Sequence, residues 1–372
     1  MTPYIIIGLF LGIVSGIVMH RADFCLVRPF RDLFLFGSLE RFRYLVLSIG
    51  GTMFLVEMGR IGGVIPFYPF PLLTPPALTT LAGGVLFGIG MVLAGGCVVG
   101  TLYRMGSGQG TSLTAFIGLI AGSGLYAEFH PLWKSLQQTT TLTPAITLPS
   151  LLSMTPGVLT IPLSILLLFL SYSWWKGGSL SYRNRARGSI SHRTATLILI
   201  AVTLTSCLLI GMPLGITTSY AKFAATIEWV IAPDHVASLP YFMARPFTYH
   251  PPLSQITLTG GAGPFLDAIA LIQYPLIIGI VTGAFLSSLA LGEFKIFLSA
   301  PKNQYLLSLA GGVLMGLGAR MTPGCNVWHI LGGIPILSLS SLLFTLSLFP
   351  GAWVGSRILS RVILKGERWN RP

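Results

Sequence analysis

The chain has four cysteines, Cys25, Cys97, Cys207 and Cys325, and two of them close similar stretches. LAGGC ends at Cys97 and MTPGC ends at Cys325. Gly95–Gly96 and Pro323–Gly324 each stop or kink a helix just before the thiol. A third cysteine lies in HRADFCLVRPFRD, residues 20–32, after an apolar segment and among arginines. No CxxC pair and no zinc spacing is present, so neither a disulfide framework nor a metal site is indicated. A neutral thiol is a weak hydrogen-bond donor with a soft, polarizable sulfur, and it attacks only as thiolate. Thiols at helix breaks, where backbone N–H groups are also free, suit a small sulfur-bearing anion: thiol to sulfur, N–H to oxygen. Cys207 sits mid-span in TLTSCLLIG and is expected to pack as a small apolar residue.

The elements that must position these thiols are membrane helices. Hydrophobic residues make up 53% of the chain and charged residues only 9%, against about 25% charged in soluble domains. Apolar spans fall near 4–20, 44–59, 78–96, 112–128, 157–175, 194–214, 273–291, 304–320 and 334–356. A bilayer needs about 20 residues per helix. The fold class is therefore an all-α polytopic membrane protein of about nine transmembrane helices, with 22–38 and 218–232 as short interfacial or re-entrant helices. The opening MTPYIIIGLFLG has neither the basic n-region nor the cleavage site of a signal peptide, and reads as the first membrane helix. The polar, basic, Ser/Gly-rich stretch 176–193 divides a single membrane domain into halves of about 1–175 and 194–372.

The net charge of +13 is concentrated in three regions. Arg21, Arg28, Arg31, Arg41 and Arg43 form the first; Lys176, Arg183, Arg185, Arg187 and Arg193 the second; Arg357, Arg361, Lys365, Arg368 and Arg371 the third. Nine spans put all three on one side. The positive-inside rule makes that side cytoplasmic, with the N-terminus outside and the C-terminus inside. Segments 129–155 and 232–272, poor in Lys and Arg, then lie outside. No soluble basic domain exists to hold nucleic acid, and no GxxxxGK[ST] signals a nucleotide-driven pump. No cofactor is expected.

LAGGVLFGIGMVLAGGC (81–97) and LAGGVLMGLGARMTPGC (309–325) agree at ten of seventeen positions, at an offset of 228. Gly84/Gly88 and Gly312/Gly316 fit the small-xxx-small pattern of close helix packing. The span count sets these two helices in opposite directions, as an inverted repeat requires, and such repeats place a transport path between halves. A weaker match joins IIIGLFLGIVSG (5–16) to LIIGIVTGAFLS (276–287), but the same count leaves that pair parallel.

Arg104 and Arg320 are candidates for attracting an anion, Arg104 with a competing role as a surface anchor. Arg320 ends an apolar span five residues before Cys325, where a charge is costly and usually functional. His20 and His329 flank two cysteine motifs at inconsistent spacing, which argues against a Cys–His dyad. Glu57, Glu128, Asp267 and Glu293 form no paired acidic site for ion coupling. A thiol–disulfide oxidoreductase would need bridgeable cysteine pairs and a redox motif that the sequence lacks.

The stretches GIVMHRADFCLVRPFRDLF (16–34), FGIGMVLAGGCVVGTLYRMGSG (87–108), GMPLGITTS (211–219) and AGGVLMGLGARMTPGC (310–325) resemble the YeeE/YedE family of sulfur-compound membrane transporters, across nearly the whole chain. The resemblance implies an hourglass-shaped bundle with pseudo-twofold halves and no enzymatic activity. It implies thiosulfate uptake across the inner membrane, along a central path where Cys25, Cys97 and Cys325 relay the anion through weak S–H···S hydrogen bonds. The partners it implies are the anion, membrane lipid and, as a candidate, a small cytosolic sulfurtransferase-like protein. The stretch Arg320–Cys325 departs from the family's usual Gly-Gly-Cys, which leaves another sulfur or selenium solute as the alternative.

Overall fold

A computed structural model describes residues 2–65, 68–180, 188–250 and 257–369. The first half carries α1 (Thr2–Ala22), α2 (Arg28–Phe36), α3 (Glu40–Ile61), α4 (Leu78–Leu93), α5 (Val98–Gly106), α6 (Gly110–Glu128), α7 (His130–Thr139), α8 (Leu148–Leu151) and α9 (Pro156–Lys176). The second carries α10 (His192–Leu209), α11 (Thr217–Ile231), α12 (Pro233–Ser238), α13 (Pro240–Met243), α14 (Ala268–Ala290), α15 (Lys302–Met321) and α16 (Leu339–Trp369). Two three-residue strands, β1 (Phe247–Tyr249) and β2 (Leu258–Gly260), pair antiparallel with Phe247 opposite Gly260. Tyr249 donates to the Ile210 carbonyl at 2.6 Å, which seats this hairpin on the end of α10.

Eight spans among the described residues are long and apolar enough to cross a membrane, with α4 and α5 counted as one from Leu78 to Gly106. The expected ninth is α15. It begins with Lys302, Asn303 and Gln304, so its hydropathy is lower, but its 20 residues pack between α4 and α6. This is an all-α polytopic membrane protein. Side chains such as Phe10, Ile117, Leu166, Phe169, Ile278 and Leu346 project outward from the spans; apolar surface of this kind is what lipid covers.

Two expected spans differ in their bounds from what hydropathy suggests. The span read as 194–214 is helical only to Leu209, because Gly211 takes a left-handed φ of 84° and Pro213 follows. The span read as 334–356 begins at Leu339. The residues before it form a π-helical turn, Trp328–Gly333, and a 3-10 turn, Ile334–Ile336, ended by Leu337 at φ 55°. The short segments expected at 22–38 and 218–232 are α2 and α11, and the described residues between 232 and 272 include α12, α13 and the two paired strands.

Glycines set the helix packing and, through it, the helix directions. A Cβ on Gly90 would lie 2.5 Å from the Gly311 carbonyl oxygen, and one on Gly83 3.0 Å from that of Gly318. Rising numbers on α4 thus meet falling numbers on α15, and the two helices cross antiparallel. Gly84 and Gly88 meet Phe344 and Leu348 of α16, while Gly312 and Gly316 meet Ala115 and Leu119 of α6; both of these pairs are parallel. Gly8, Gly12 and Gly16 of α1 meet Ile272, Leu276 and Ile280 of α14, so this pair too is parallel and in contact. An inversion that relates α4 to α15 therefore does not relate α1 to α14, and the weaker sequence match is not its second instance.

The described parts of the three basic regions lie near one another, Phe34 and Leu35 sharing a cavity with Arg357 and Arg361. Ile190 N–H donates to the Arg21 carbonyl at 3.3 Å, Arg43 donates to the Ser179 carbonyl at 3.2 Å, and Phe30 of α2 packs edge-on against Phe349 of α16 at 5.1 Å. Arg183, Arg185, Arg187 and Arg371 lie outside the described residues.

Candidate functional site

Three of the four thiols lie at the ends of broken helices, and two of them meet. Cys25 lies in the Asp23–Val27 link between α1 and α2, Cys97 is the N-cap of α5, and Cys325 follows the end of α15. All are free and buried. Cys25 Sγ stands 3.9 Å from Cys97 Sγ, within range of an S–H···S contact. Cys97 Sγ also accepts the Gly100 N–H at 3.3 Å, so a backbone donor of the new helix points at the thiol. Cys325 lines an apolar cavity with Phe24, Leu26 and Val99, residues that flank Cys25 or lie two beyond Cys97. Cys25 lines a second cavity with Arg41, Tyr44 and His192. Phe24 and Leu26 border both cavities. Cys207 is buried within α10 as expected, and it is not among the residues that line these cavities.

Each break has its own tie. Gly95 takes a left-handed φ of 69° and ends α4. Arg104, two turns into α5, donates Nη1–H to the Gly95 carbonyl, so the guanidinium satisfies a carbonyl that the break would leave bare. A Cβ on the following Gly96 would stand 3.6 Å from the same guanidinium. After α15, Gly324 N–H bonds the Ala319 carbonyl at 2.9 Å while Pro323 offers no donor. Here the tie is His329. Its Nε2 lies 2.8 Å from the Thr322 carbonyl, which makes that nitrogen the donor, and Nδ1 accepts from Ser341 Oγ at 2.8 Å. His20 Nδ1 pairs with Ser287 Oγ at 3.1 Å. Neither histidine's hydrogen bonds run to a thiol.

Asn326, next to Cys325, is wholly buried, and neither its Oδ1 nor its Nδ2 has a hydrogen-bond partner. Unpaired buried amides are costly. This amide therefore offers a free donor and acceptor beside the thiol.

Arg320 is also buried, with Nη1 donating to Thr218 and Tyr241 hydroxyls at 3.2 and 3.3 Å and Nη2 to Thr217 at 2.7 Å. Glu57 pairs with Arg60, and Asp267 with Lys222. Glu128 and Glu228 flank His235 at 3.0 and 3.1 Å. The Glu128 carboxylate, hydrogen-bonded to it, holds the His235 imidazole above its usual pKa. That trio is the one group of His, Cys, Asp or Glu among the described residues with ligand atoms close enough for a metal, all within 4.8 Å. Its members already pair with one another at the surface.

Gly100 belongs to the candidate site by position, although the cysteine spacing did not reveal it. A Cβ there would lie 2.9 Å from Cys25 Sγ and 3.4 Å from Cys97 Sγ. The signal lies in GGCVVG: a glycine at the third helical position, whose N–H faces an N-cap side chain. Gly100→Ala is expected to displace the Cys25 thiol and lower transport at least tenfold, with the thermal midpoint in detergent lowered by only a few degrees. Uptake assays beside thermal scans of the same preparation check this.

The family described as "Sulphur transport" matches residues 21–354, from the Cys25 link through the Cys325 break and the first half of α16. The chain belongs to this sulphur transport family. A relative in curated collections, the thiosulfate transporter TsuA of Spirochaeta thermophila, is 28% identical over 363 residues, covering 95% of this chain and 98% of the relative. TsuA of Escherichia coli K12 is 34% identical over 143 residues, 37% of this chain and 38% of the relative. The probable transporter YedE of Salmonella typhimurium is 28% identical over 131 residues, 34% of this chain and 30% of the relative. As a member of the sulphur transport family, the chain is a transporter of sulfur compounds and not an enzyme.

Proposed function

We propose that this protein takes up thiosulfate, or a closely related sulfur anion, across the inner membrane, handing it along Cys25, Cys97 and Cys325 through weak S–H···S contacts. The observation that carries this reading is the pair of free, buried thiols 3.9 Å apart at a helix break. Two such sulfurs hold a soft anion without a formal charge of their own. Binding stays weak enough for the anion to leave, which permeation requires. The unpartnered Asn326 amide beside Cys325 supplies a donor for the oxygens. The name of the full-length Spirochaeta relative supports thiosulfate as the solute.

Two halves, about 1–175 and 194–372, flank the path in this reading, and the antiparallel crossing of α4 and α15 supports their inversion. The side where the basic regions lie is cytoplasmic. That arrangement sets the N-terminus outside and the C-terminus inside, and offers a docking face for a small cytosolic sulfur acceptor.

The test is growth of a sulfate-uptake-deficient bacterium on thiosulfate as sole sulfur source, with the intact gene and with Cys97→Ala. Membrane levels of both proteins are quantified. Growth with the intact chain and none with the variant is expected. No growth with an intact, membrane-inserted chain sinks thiosulfate uptake in that host. Growth with both retains the transporter and removes Cys97 from its mechanism.

A further inference from the structure

Among the described residues, one buried guanidinium has no carboxylate to answer its charge. Arg320 is 6% exposed, and its side chain bonds only three hydroxyls: Thr217, Thr218 and Tyr241. No carboxylate among the described residues pairs with it. The buried Lys222, by contrast, has Asp267 at 2.8 Å. Burying an unpaired ion is costly, and proteins ordinarily answer such a charge with a partner.

The hydrogen bonds leave a particular edge open. A guanidinium has five N–H donors in a fixed fork. Nη1 spends both on Thr218 and Tyr241, and Nη2 spends one on Thr217. Nε has no partner at all, although it is buried. What remains is Nε–H and one Nη2–H, two donors on one planar group. Planar donors of this kind are what arginine uses to take the oxygens of an oxyanion. The three hydroxyls hold the plane still, which lowers the ordering cost of binding.

The location ties this edge to the thiols. Leu214, Gly215 and Ile216 line the same cavity as Cys325, and the next two residues are Thr217 and Thr218. One short segment thus runs from the thiol cavity to the guanidinium. α15 itself carries Arg320 one residue before its end, and Cys325 follows at the break.

We propose that Arg320, oriented by Thr217, Thr218 and Tyr241, is a binding station for the oxygen end of the anion, from which the sulfur end is presented to Cys325. It rests on the proposed transport of a sulfur oxyanion and adds where its oxygens are recognised. The station reads oxygens, so sulfate binds it as thiosulfate does. The thiols read the sulfane sulfur, so only thiosulfate goes on.

The test uses the full chain in detergent and in proteoliposomes, with thiosulfate and sulfate as probes. Calorimetry is expected to show both anions binding the intact protein, and Arg320→Gln weakening both at least tenfold. Arg320→Lys restores part of the loss, because it keeps the charge but not the fork. In uptake, Arg320→Gln raises the thiosulfate KM at least tenfold with Vmax within a factor of two. Without anion the thermal midpoint of Arg320→Gln is unchanged or higher, since a buried unpaired charge is gone; should that variant fold poorly, Thr217→Val and Tyr241→Phe, which keep the guanidinium and loosen it, must weaken both anions threefold or more. Undiminished binding in the Arg320 variants, or no binding of either anion by the intact chain, overturns the station. Arg320-dependent binding without thiosulfate uptake upholds the station and overturns the transport reading. Uptake with an Arg320-independent KM does the reverse.

Discussion

Gly90→Val is expected to leave little folded protein in the membrane. The added Cβ would lie 2.5 Å from the Gly311 carbonyl oxygen and 2.8 Å from the Met315 nitrogen. Both are backbone atoms of a helix, so no rotamer change relieves the clash and α15 must move away from α4. Overpacking of this kind costs about 1–3 kcal/mol where side chains can adjust; against rigid backbone we expect about 3 kcal/mol or more. The consequence reaches the site, because α4 leads to the Cys97 break and α15 to the Cys325 break. Membrane helices have no hydrophobic force to pull them together, so close backbone packing is what fixes this spacing. Gly124→Ala is the control: its Cβ would meet only the Ala224 methyl, at 3.3 Å. Fluorescence-detected size exclusion of both variants checks the difference. A monodisperse Gly90→Val at intact-protein levels would show that the crossing is not rigid.

Asp267→Ala is the second large loss. Lys222 is fully buried, and its Nζ donates to the carbonyls of Gly263 and Phe265 at 3.0 and 2.8 Å and to Asp267 at 2.8 Å. Asp267 also caps α14, accepting the Ile269 and Ala270 N–H groups at 3.1 and 3.2 Å, and takes the Gly261 N–H at 2.9 Å. Truncating it leaves a buried ammonium without its counter-charge and a helix without its cap. Removing one partner of a buried pair costs about 3–5 kcal/mol, and a lost cap about 1 kcal/mol. The double variant Lys222→Met/Asp267→Ala is expected to recover a large part, since no charge is then stranded. Asp267→Asn keeps the cap without the charge and falls between. Thermal midpoints in detergent give the order. A double variant as unstable as the sum of the singles would contradict the pairing. Through Lys222 the pair also anchors α11, which carries Thr217 and Thr218 against Arg320.

Much of the architecture was legible in the sequence because a bilayer imposes length and apolarity on each span. Eight helices announce themselves by hydropathy. The exceptions have local causes. α10 stops early at Gly211 and Pro213, and α16 starts late after Leu337, because apolar residues need not be helical where protein buries them. The two Gly–Cys breaks were equally legible, since glycine and proline act on the backbone locally.

The amino-acid sequence by itself determined the membrane class, the three basic regions and the repeated Gly–Cys break, all properties of contiguous residues. Tertiary structure alone decided which groups meet. Cys25 and Cys97 are 72 positions apart yet in contact. Arg104 turns inward to cap Gly95, and Arg320 finds hydroxyls from α11 and α13, about 100 and 80 positions away. The physical reason is range. Hydropathy and backbone propensity act within a few residues, whereas a thiol pair or a guanidinium's hydroxyl partners are set by how helices cross. In this chain those crossings are written in glycines that show their partners only once packed.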